Sequence, residues 1–203
     1  MSLNDKIVDH GVKLKTKKLK GVSLAEIEAE RRLKGCENPD AGDRLYAVTR
    51  ITVTPKHGGQ VWYPGGLIVE DFVVHMNACL ATPEVHVEAE TTICVPARLD
   101  QLSQAERKEW WRFYKALERQ ERAQVQRGLD EAAALLADLE ALSVTLQSET
   151  VNEDKLREKS LALLKQAAQT GFCSGQIETR LAALLAPEAA APALDLALEP
   201  AHA

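Results

Sequence analysis

An α+β fold is predicted for this 203-residue chain by two hydrophobic patterns that occupy different stretches of it. Apolar and polar residues alternate through residues 44–54 and 84–95, as they do in strands with one buried face. From residue 103 to about residue 147, apolar residues instead recur every three or four positions, as on a helix with one buried stripe. We therefore expect a helix and a small antiparallel sheet, followed by a long helix packed against that sheet.

The N-terminal residues 1–20 are polar and are predicted to form a flexible basic arm. Its basic cluster consists of Lys13, Lys15, Lys17, Lys18 and Lys20. A docking role on an anionic surface is the alternative interpretation of this cluster. After the arm, Ser23 and Glu26 have capping-box spacing and Gly35 is a natural stop, so a helix is predicted at residues 24–34.

Three strands are predicted, at residues 44–54, 67–76 and 84–95. The segment between the first two strands is rich in glycine and proline and is typical of turns. Ser103 and Glu106 form a second capping box, which marks the start of the long helix.

The C-terminal part of the chain is predicted to be helical and then disordered. Further helices are expected at about residues 153–169 and 175–186, and the tail from Glu188 is rich in alanine and proline.

Composition limits the classes of function. The chain is 45% hydrophobic but only 4% aromatic, so aliphatic side chains must fill most of the core. The formal net charge of -5 argues against nucleic acid as the main partner. No membrane span is expected, because no apolar run reaches about eighteen residues. The chain as written is expected to be cytoplasmic, or periplasmic or secreted if a signal was trimmed from a longer precursor.

The candidate site is the sequence Q-E-x-x-Q at residues 120–124, on the long predicted helix. It has the spacing of H-E-x-x-H, the zinc-binding motif of zincin proteases, with glutamine at both histidine positions. In that motif the two histidines hold one metal from one helix face, and the glutamate accepts a proton from the metal-bound water. The general-base position is kept here as Glu121, while Gln120 and Gln124 stand at the former metal-ligand positions.

The residues around this motif carry a family resemblance. Trp110, Phe113 and Leu117 precede it at fixed spacing, and an alternating strand that ends at Pro96 follows Cys79. Together they resemble an uncharacterised bacterial family classed as secreted zinc-dependent proteases. The resemblance covers about residues 21–142 and implies a zincin-like domain at residues 21–149. Composition and helical periodicity predict the flanking parts: a flexible basic arm at 1–20, a helical extension at 150–187 and a disordered tail at 188–203.

Loss of the histidines has a chemical consequence. Imidazole is a good zinc ligand, whereas an amide carbonyl suits harder ions. Zinc is therefore predicted to be lost, and no metal ligand or cofactor is expected. Without zinc, Glu121 has no activated water to deprotonate. Glu121 is then either a solvated carboxylate paired with a lysine or arginine one turn away, or part of a partly buried network with Gln120 and Gln124. The sequence identifies no third ligand position.

The leading hypothesis is a catalytically degenerate zincin-like protein, a pseudoprotease with a binding or regulatory role. A peptide or protein partner would occupy the vestigial cleft, where an edge strand can pair with an extended chain. One alternative is a metal-dependent peptidase with non-standard ligands and Glu121 as general base. Another is a structural or assembly protein that uses its C-terminal helices. The leucines of these helices could form an oligomer seam, but packing within the molecule is favoured. They are Leu156, Leu161, Leu164, Leu181, Leu184 and Leu185. The oligomeric state stays open.

Cysteines and histidines offer weaker candidates. Cys36, Cys79, Cys94 and Cys173 are widely spaced without a CxxC pair, which favours buried free thiols, and a Cys79–Cys94 disulfide stays open. A separate metal site from His75, His86 and Cys79 is a further alternative, although ordinary histidines are favoured.

Overall fold

The fold is α+β, as predicted. The computed structural model describes residues 6–37, 42–57, 60–149, 152–171 and Leu194. Helices in this part of the chain are α1 (Leu24–Lys34), α2 (Gln104–Ala141) and α3 (Glu153–Gly171). The strands are β1 (Ile7–Leu19), β2 (Cys36–Glu37), β3 (Arg44–Leu45), β4 (Ala47–His57), β5 (Val61–Trp62), β6 (Ile68–Glu70), β7 (Val73–Leu80), β8 (Pro83–Pro96) and β9 (Ser143–Ser148). Each helix of the described residues is too short or too polar to span a lipid bilayer.

The chain divides into two compact units. Unit 1 is drawn from Met1–His10, Val53–Val87 and Gly128–Ala183, and unit 2 from Gly11–Thr52, Glu88–Arg127 and Leu184–Ala203. Strands β1, β4 and β8 and helix α2 therefore contribute residues to both units. The boundaries of the predicted zincin-like domain, helical extension and tail stay predictions.

Unit 1 is organised around β7. This strand pairs antiparallel with β9 on one edge and with β6 and then β5 on the other. The pairing with β9 runs from Val74↔Ser148 to Cys79↔Ser143. The core of the unit consists of Val74, Met76, Leu146 and Leu156, with Tyr63 and Leu163 packed against it. Helix α3 therefore buries Leu156 within the molecule.

In unit 2, helices pack against a three-stranded sheet whose strand order is β1-β8-β4. The short β2–β3 ladder, with Cys36 opposite Leu45, lies beside it in the same core. Three aromatic side chains contact one another in this core. The ring centroids of Tyr46 and Phe113 are 4.8 Å apart, and those of Trp110 and Phe113 are 5.6 Å apart. These few aromatics thus join the aliphatic core that composition predicted.

The predicted capping box of Ser103 and Glu106 is confirmed, whereas at α1 Ser23 caps the helix but Glu26 binds the N–H of the preceding residue. At the start of α1, Glu26 N–H donates to Ser23 Oγ at 3.3 Å and Val22 N–H donates to the Glu26 carboxylate at 2.8 Å. Gly35 ends this helix, and a Cβ there would lie 2.6 Å from the Arg31 carbonyl oxygen and 2.7 Å from that of Leu45. Only glycine fits that position, so β2 can begin directly after α1.

Glu106 joins the N-terminal ends of α1 and α2. Its carboxylate accepts hydrogen bonds from Ser103 N–H at 2.9 Å and from Leu24 N–H at 3.0 Å. Backbone N–H groups in the first turn of a helix have no partner within the helix, so one buried carboxylate satisfies donors at two helix ends. This contact fixes α2, and with it residues 120–124, relative to α1 in unit 2.

The expectation of a flexible N-terminal arm is wrong for the described residues, because residues 7–19 form β1. This strand pairs with β8, and Lys15 makes a 2.8 Å ion pair with Glu90. Most of its side chains are exposed on both faces and only Leu19 is buried. The strand is therefore held by backbone pairing, which leaves no hydrophobic alternation for the sequence to reveal.

The strand predicted at 67–76 is a hairpin. β6 and β7 are joined through Asp71 and Phe72, whose φ angles are 49° and 65°. Two successive positive φ values are typical of a type I′ turn, which normally carries glycine or asparagine. A phenylalanine at this position carries no turn signal. The strand predicted at 44–54 is likewise interrupted, at Tyr46.

The long helix ends at Ala141, earlier than predicted, although it runs through Gly128 without a break. Residues 143–148 form β9 instead, because their backbone pairs with the edge of β7. Val144 and Thr145 are β-branched and fit a strand better than a helix. The helix predicted at 153–169 is confirmed as α3, whereas the helix predicted at 175–186 and all of the tail except Leu194 lie outside the described residues.

Candidate functional site

The three predicted site residues lie on α2 within unit 2. Glu121 is buried, with 6% of its surface exposed, while Gln120 and Gln124 are partly exposed. The buried stripe of α2 contains Trp110, Phe113 and Leu117 at spacings of three and four residues. Glu121 follows at the next interval of four, so a carboxylate occupies a position where the helical period calls for an apolar side chain.

Two threonine hydroxyls form a chain of hydrogen bonds that ends at this carboxylate. Thr49 Oγ1 lies 2.6 Å from Glu121 Oε2 and 2.7 Å from Thr91 Oγ1, and all three residues are buried. When Thr49 donates its proton to Glu121, it accepts one from Thr91. Strand alternation places Thr49 of β4 and Thr91 of β8 on the helix-facing side of the sheet, as the sequence predicted. No local pattern indicated that these threonines would contact Glu121.

Burial raises the pKa of Glu121 above its ordinary value, and the hydrogen bond from Thr49 opposes this rise only in part. The interpretation of Glu121 as a solvated carboxylate is therefore wrong. The ion pair on this part of the helix instead joins Glu118 and Arg122 at 2.7 Å. Gln120 Oε1 is buried and accepts no hydrogen bond from the described residues.

The zinc ion implied by the family resemblance does not fit this arrangement. A zinc site needs at least three good protein ligands, and the site offers two amides beside a carboxylate already held by Thr49. Within the described ranges, no three side chains of His, Cys, Asp or Glu lie close enough to hold a metal. This includes His75, His86 and Cys79, so the alternative metal site is not formed. His86 Nδ1 instead lies 3.0 Å from His10 Nε2 in unit 1.

Cysteines in unit 2 form a pair that sequence reasoning missed. The sulfur atoms of Cys36 and Cys94 are 3.5 Å apart, and both side chains are buried. Cys79 is a partly exposed free thiol and Cys94 is also free, so the Cys79–Cys94 disulfide is not present. Alternation along β8 groups Cys94 with the polar side chains of Glu90 and Thr92, yet Cys94 is fully buried, because the fold brings Cys36 against it.

A surface cavity of about 190 Å³ lies on the face of the unit 2 sheet that points away from Glu121. Val48 and Arg50 line it from β4, on either side of the inward-facing Thr49. Charges of both signs surround the opening, from Lys17, Arg44, Arg50, Glu37 and Glu90. Cys36 forms part of its wall, so this cavity leads to the thiol pair and not to Glu121.

Most of this arrangement lies within a stretch that matches a known family. The model of a family described as "Bacterial protein of unknown function (DUF922)" matches residues 14–170, well over half of the chain. The chain belongs to the DUF922 family. The DUF922 match extends from β1 into the last turn of α3 and includes residues 120–124. The expectation of an uncharacterised bacterial family is thereby confirmed. No curated protein and no solved structure gives a significant match to the chain.

Proposed function

We propose that this DUF922 protein is a catalytically inactive relative of the zincin proteases and binds an extended peptide segment of a partner. The observation that carries the proposal is the state of Glu121. Its carboxylate is buried and hydrogen-bonded to Thr49, between two glutamines at the positions where a zincin has histidines.

Catalysis by a zincin glutamate depends on two conditions that these residues do not favour. The glutamate must face a water whose pKa has been lowered by bound zinc, and it must be free to accept that proton. Gln120 and Gln124 are poor zinc ligands, and Thr49 already occupies one oxygen of Glu121. The carboxylate then serves to tie α2 to the sheet.

The binding role rests on strand β4. In the order β1-β8-β4, this strand is at an edge, and no other strand of the described residues pairs along its free side. Unpaired backbone N–H and C=O groups on an edge accept an additional strand, so residues 47–52 suit a partner segment in extended conformation.

Elemental analysis of the purified protein tests the inactive assignment. We expect less than about a tenth of a zinc per chain, because a structural or catalytic site needs ligands that Gln120 and Gln124 do not supply. Stoichiometric zinc that is lost in Gln124→Ala would overturn it. The matched control is Gln126→Ala, an exposed glutamine on the same helix.

Hydrogen exchange tests the binding role. Peptides selected from a random display library against the protein should slow amide exchange in residues 47–52 when added in excess. Residues 88–93 of β8 are the internal control, since that strand already has neighbours on both sides. Protection confined to other surfaces, or no selected peptide at all, would count against pairing at β4.

An enzymatic function is the second candidate, because a raised pKa is a property of many catalytic carboxylates. It predicts cleavage of an unfolded protein substrate that stops with chelator and with Glu121→Gln. Chelator-insensitive cleavage, or cleavage retained in Glu121→Gln, points to a contaminating protease.

A further inference from the structure

The buried sulfur atoms of Cys36 and Cys94 come from segments that are 58 residues apart in sequence. Cys36 lies in β2 and Cys94 in β8, both in unit 2. Their 3.5 Å separation exceeds the disulfide bond length by only about 1.5 Å. A rotation of one side chain covers such a distance.

Backbone hydrogen bonds hold both cysteines against the same short segment, which consists of Leu45 and Tyr46. The β2–β3 ladder pairs Cys36 with Leu45, and Cys94 N–H donates to the Tyr46 carbonyl at 2.6 Å. Cys36 Sγ also lies 3.5 Å from the Thr92 carbonyl oxygen. The sulfur atoms therefore meet because three strands converge.

We propose that Cys36 and Cys94 form a reversible disulfide when the protein encounters hydrogen peroxide. Neither sulfur belongs to the Q-E-x-x-Q site, so this disulfide does not depend on the proposed function.

Access to the pair comes through the cavity on the outer face of the sheet. Cys36 lines that cavity, whose volume of about 190 Å³ is several times that of a peroxide molecule. Lys17 lies on the same wall and donates from Nζ to the Gly35 carbonyl at 3.3 Å. A small neutral oxidant in the cavity therefore lies next to Cys36 and near the positive charge of Lys17.

The pair ionises more readily than an isolated thiol. A hydrogen bond from the Cys36 thiol lowers the pKa of Cys94 to about 7, against the opposing effect of burial, and Lys17 and Arg31 contribute. The same hydrogen bond raises the pKa of Cys36. Near neutral pH the ionised pair therefore carries its thiolate on Cys94 and its proton on Cys36. Transfer of that proton to Cys94, across the 3.5 Å between the sulfurs, places the thiolate on Cys36, the cysteine that lines the cavity.

The reaction then has two steps. The Cys36 thiolate attacks one peroxide oxygen, so an S–O bond forms, the O–O bond breaks and hydroxide leaves. This hydroxide becomes the first water by taking up the proton that the thiol pair released to solvent when it ionised. The Cys94 sulfur next attacks the resulting sulfenic sulfur, forming the S–S bond and breaking the S–O bond. Hydroxide from that sulfur leaves as water with the Cys94 proton. Two thiols and one peroxide give one disulfide and two waters.

Peptide mapping of the full chain tests the proposal directly. The protein is treated with hydrogen peroxide, denatured, alkylated and digested with trypsin and a glutamate-specific protease. Cleavage after Glu84, Glu88 or Glu90 separates Cys79 from Cys94. We expect a cross-linked pair of peptides containing Cys36 and Cys94, two hydrogens lighter than the separate peptides, which dithiothreitol splits. Cys79 should remain alkylated at the same dose.

Thermal unfolding supplies a second readout. Closing this loop should raise Tm by about 5–10 °C in the oxidised protein. The rise should disappear in Cys36→Ser and Cys94→Ser and persist in the matched control Cys79→Ser. The proposal is overturned if Cys36 and Cys94 stay alkylated at a peroxide dose that oxidises Cys79, or if Cys94 links to another cysteine. Mapping of the unmutated chain distinguishes these outcomes even if a serine variant does not fold.

Discussion

The hydroxyl of Thr49 lies 2.6 Å from the carboxylate of Glu121, and both residues are buried. Strand β4 and helix α2 are thereby connected by a polar contact inside an otherwise apolar layer of unit 2. The contact involves the one residue of the Q-E-x-x-Q sequence that a zincin would use as its base. Its ionisation state determines how much the contact contributes to stability.

Glu121→Gln should stabilise the protein by about 1 kcal/mol at pH 8, because a buried carboxylate is costly to ionise. The folded pKa of Glu121 lies above its unfolded value. The wild type therefore loses stability as pH rises from the unfolded pKa, about 4.3, through the folded pKa. The variant lacks this loss, so its advantage should vanish near pH 4. Urea unfolding from pH 4 to pH 8 measures the difference.

The control for that series is Glu118→Gln, which changes a partly exposed carboxylate one turn earlier on α2. Its effect should stay below about 1 kcal/mol at every pH. A Glu121→Gln protein that is less stable than wild type at pH 8 would mean that the fold prefers the ionised carboxylate.

Thr49→Val should destabilise the protein by about 1–2 kcal/mol, because it removes the donor to Glu121 and the partner of Thr91. The loss should increase with pH, since the ionised carboxylate needs the donor most. Thr52→Val, on the exposed face of the same strand, should change stability by less than about 0.5 kcal/mol. Equal effects of the two substitutions would show that the buried hydrogen bonds contribute nothing.

Glu106→Gln should destabilise the protein by about 2–3 kcal/mol, because the hydrogen bonds to Ser103 and Leu24 N–H are charge-assisted. Burial opposes ionisation of Glu106, yet these backbone donors lower its pKa. The stabilisation is therefore complete above the unfolded pKa of about 4.3 and is lost as pH falls through the folded pKa. Chemical denaturation at pH 7 and pH 3.5 tests both statements. Glu26→Gln, at the exposed cap of α1, should cost less than about 1 kcal/mol.

Gln120→His combined with Gln124→His should create weak zinc affinity, with water in the remaining coordination positions, if α2 descends from a zincin helix. Histidines four residues apart on one face bind a single divalent ion. Isothermal titration with zinc should give one site per chain in the double variant and none in Gln124→His alone. Absence of a site in a double variant that folds normally would remove the main support for the zincin ancestry.

Phe72→Gly should stabilise unit 1 by about 0.5–1 kcal/mol, because glycine adopts the φ of 65° without strain. The phenylalanine is 94% exposed, so little burial is lost. Phe72→Ala is the control. It removes the ring but keeps the Cβ atom, and with it the strain of the positive φ angle, so its Tm should stay close to that of wild type. A Tm of Phe72→Gly at or below wild type would mean that the ring makes a stabilising contact.

Local signals in the sequence predicted much of unit 2. Ser23 with Glu26 and Ser103 with Glu106 marked two helix starts, because capping is decided within four residues. Alternation along residues 44–54 and 84–95 predicted strands with one buried face, and Thr49 and Thr91 lie on that face. The burial of Glu121 could have been inferred from the stripe that begins at Trp110, yet a carboxylate on a charged helix favoured the surface interpretation.

The features that sequence reasoning missed depend on distant partners. Strand β1 has polar side chains on both faces and is held by pairing with β8. The residues of β9 continue the helical period, but the free edge of β7 gives their backbone a better set of hydrogen bonds. The approach of Cys36 to Cys94 likewise follows from the convergence of separate strands and has no local signature.

The position of β9 after the long helix affects how unit 1 is made in the cell. Strand β7 meets β6 as soon as the hairpin is synthesised, but β9 begins only at Ser143, after the whole of α2. At about 5–20 residues per second, the ribosome needs roughly 3–13 s to supply it. During that interval one edge of β7 is open to other nascent chains, so early capture by a chaperone would protect the growing polypeptide from intermolecular pairing.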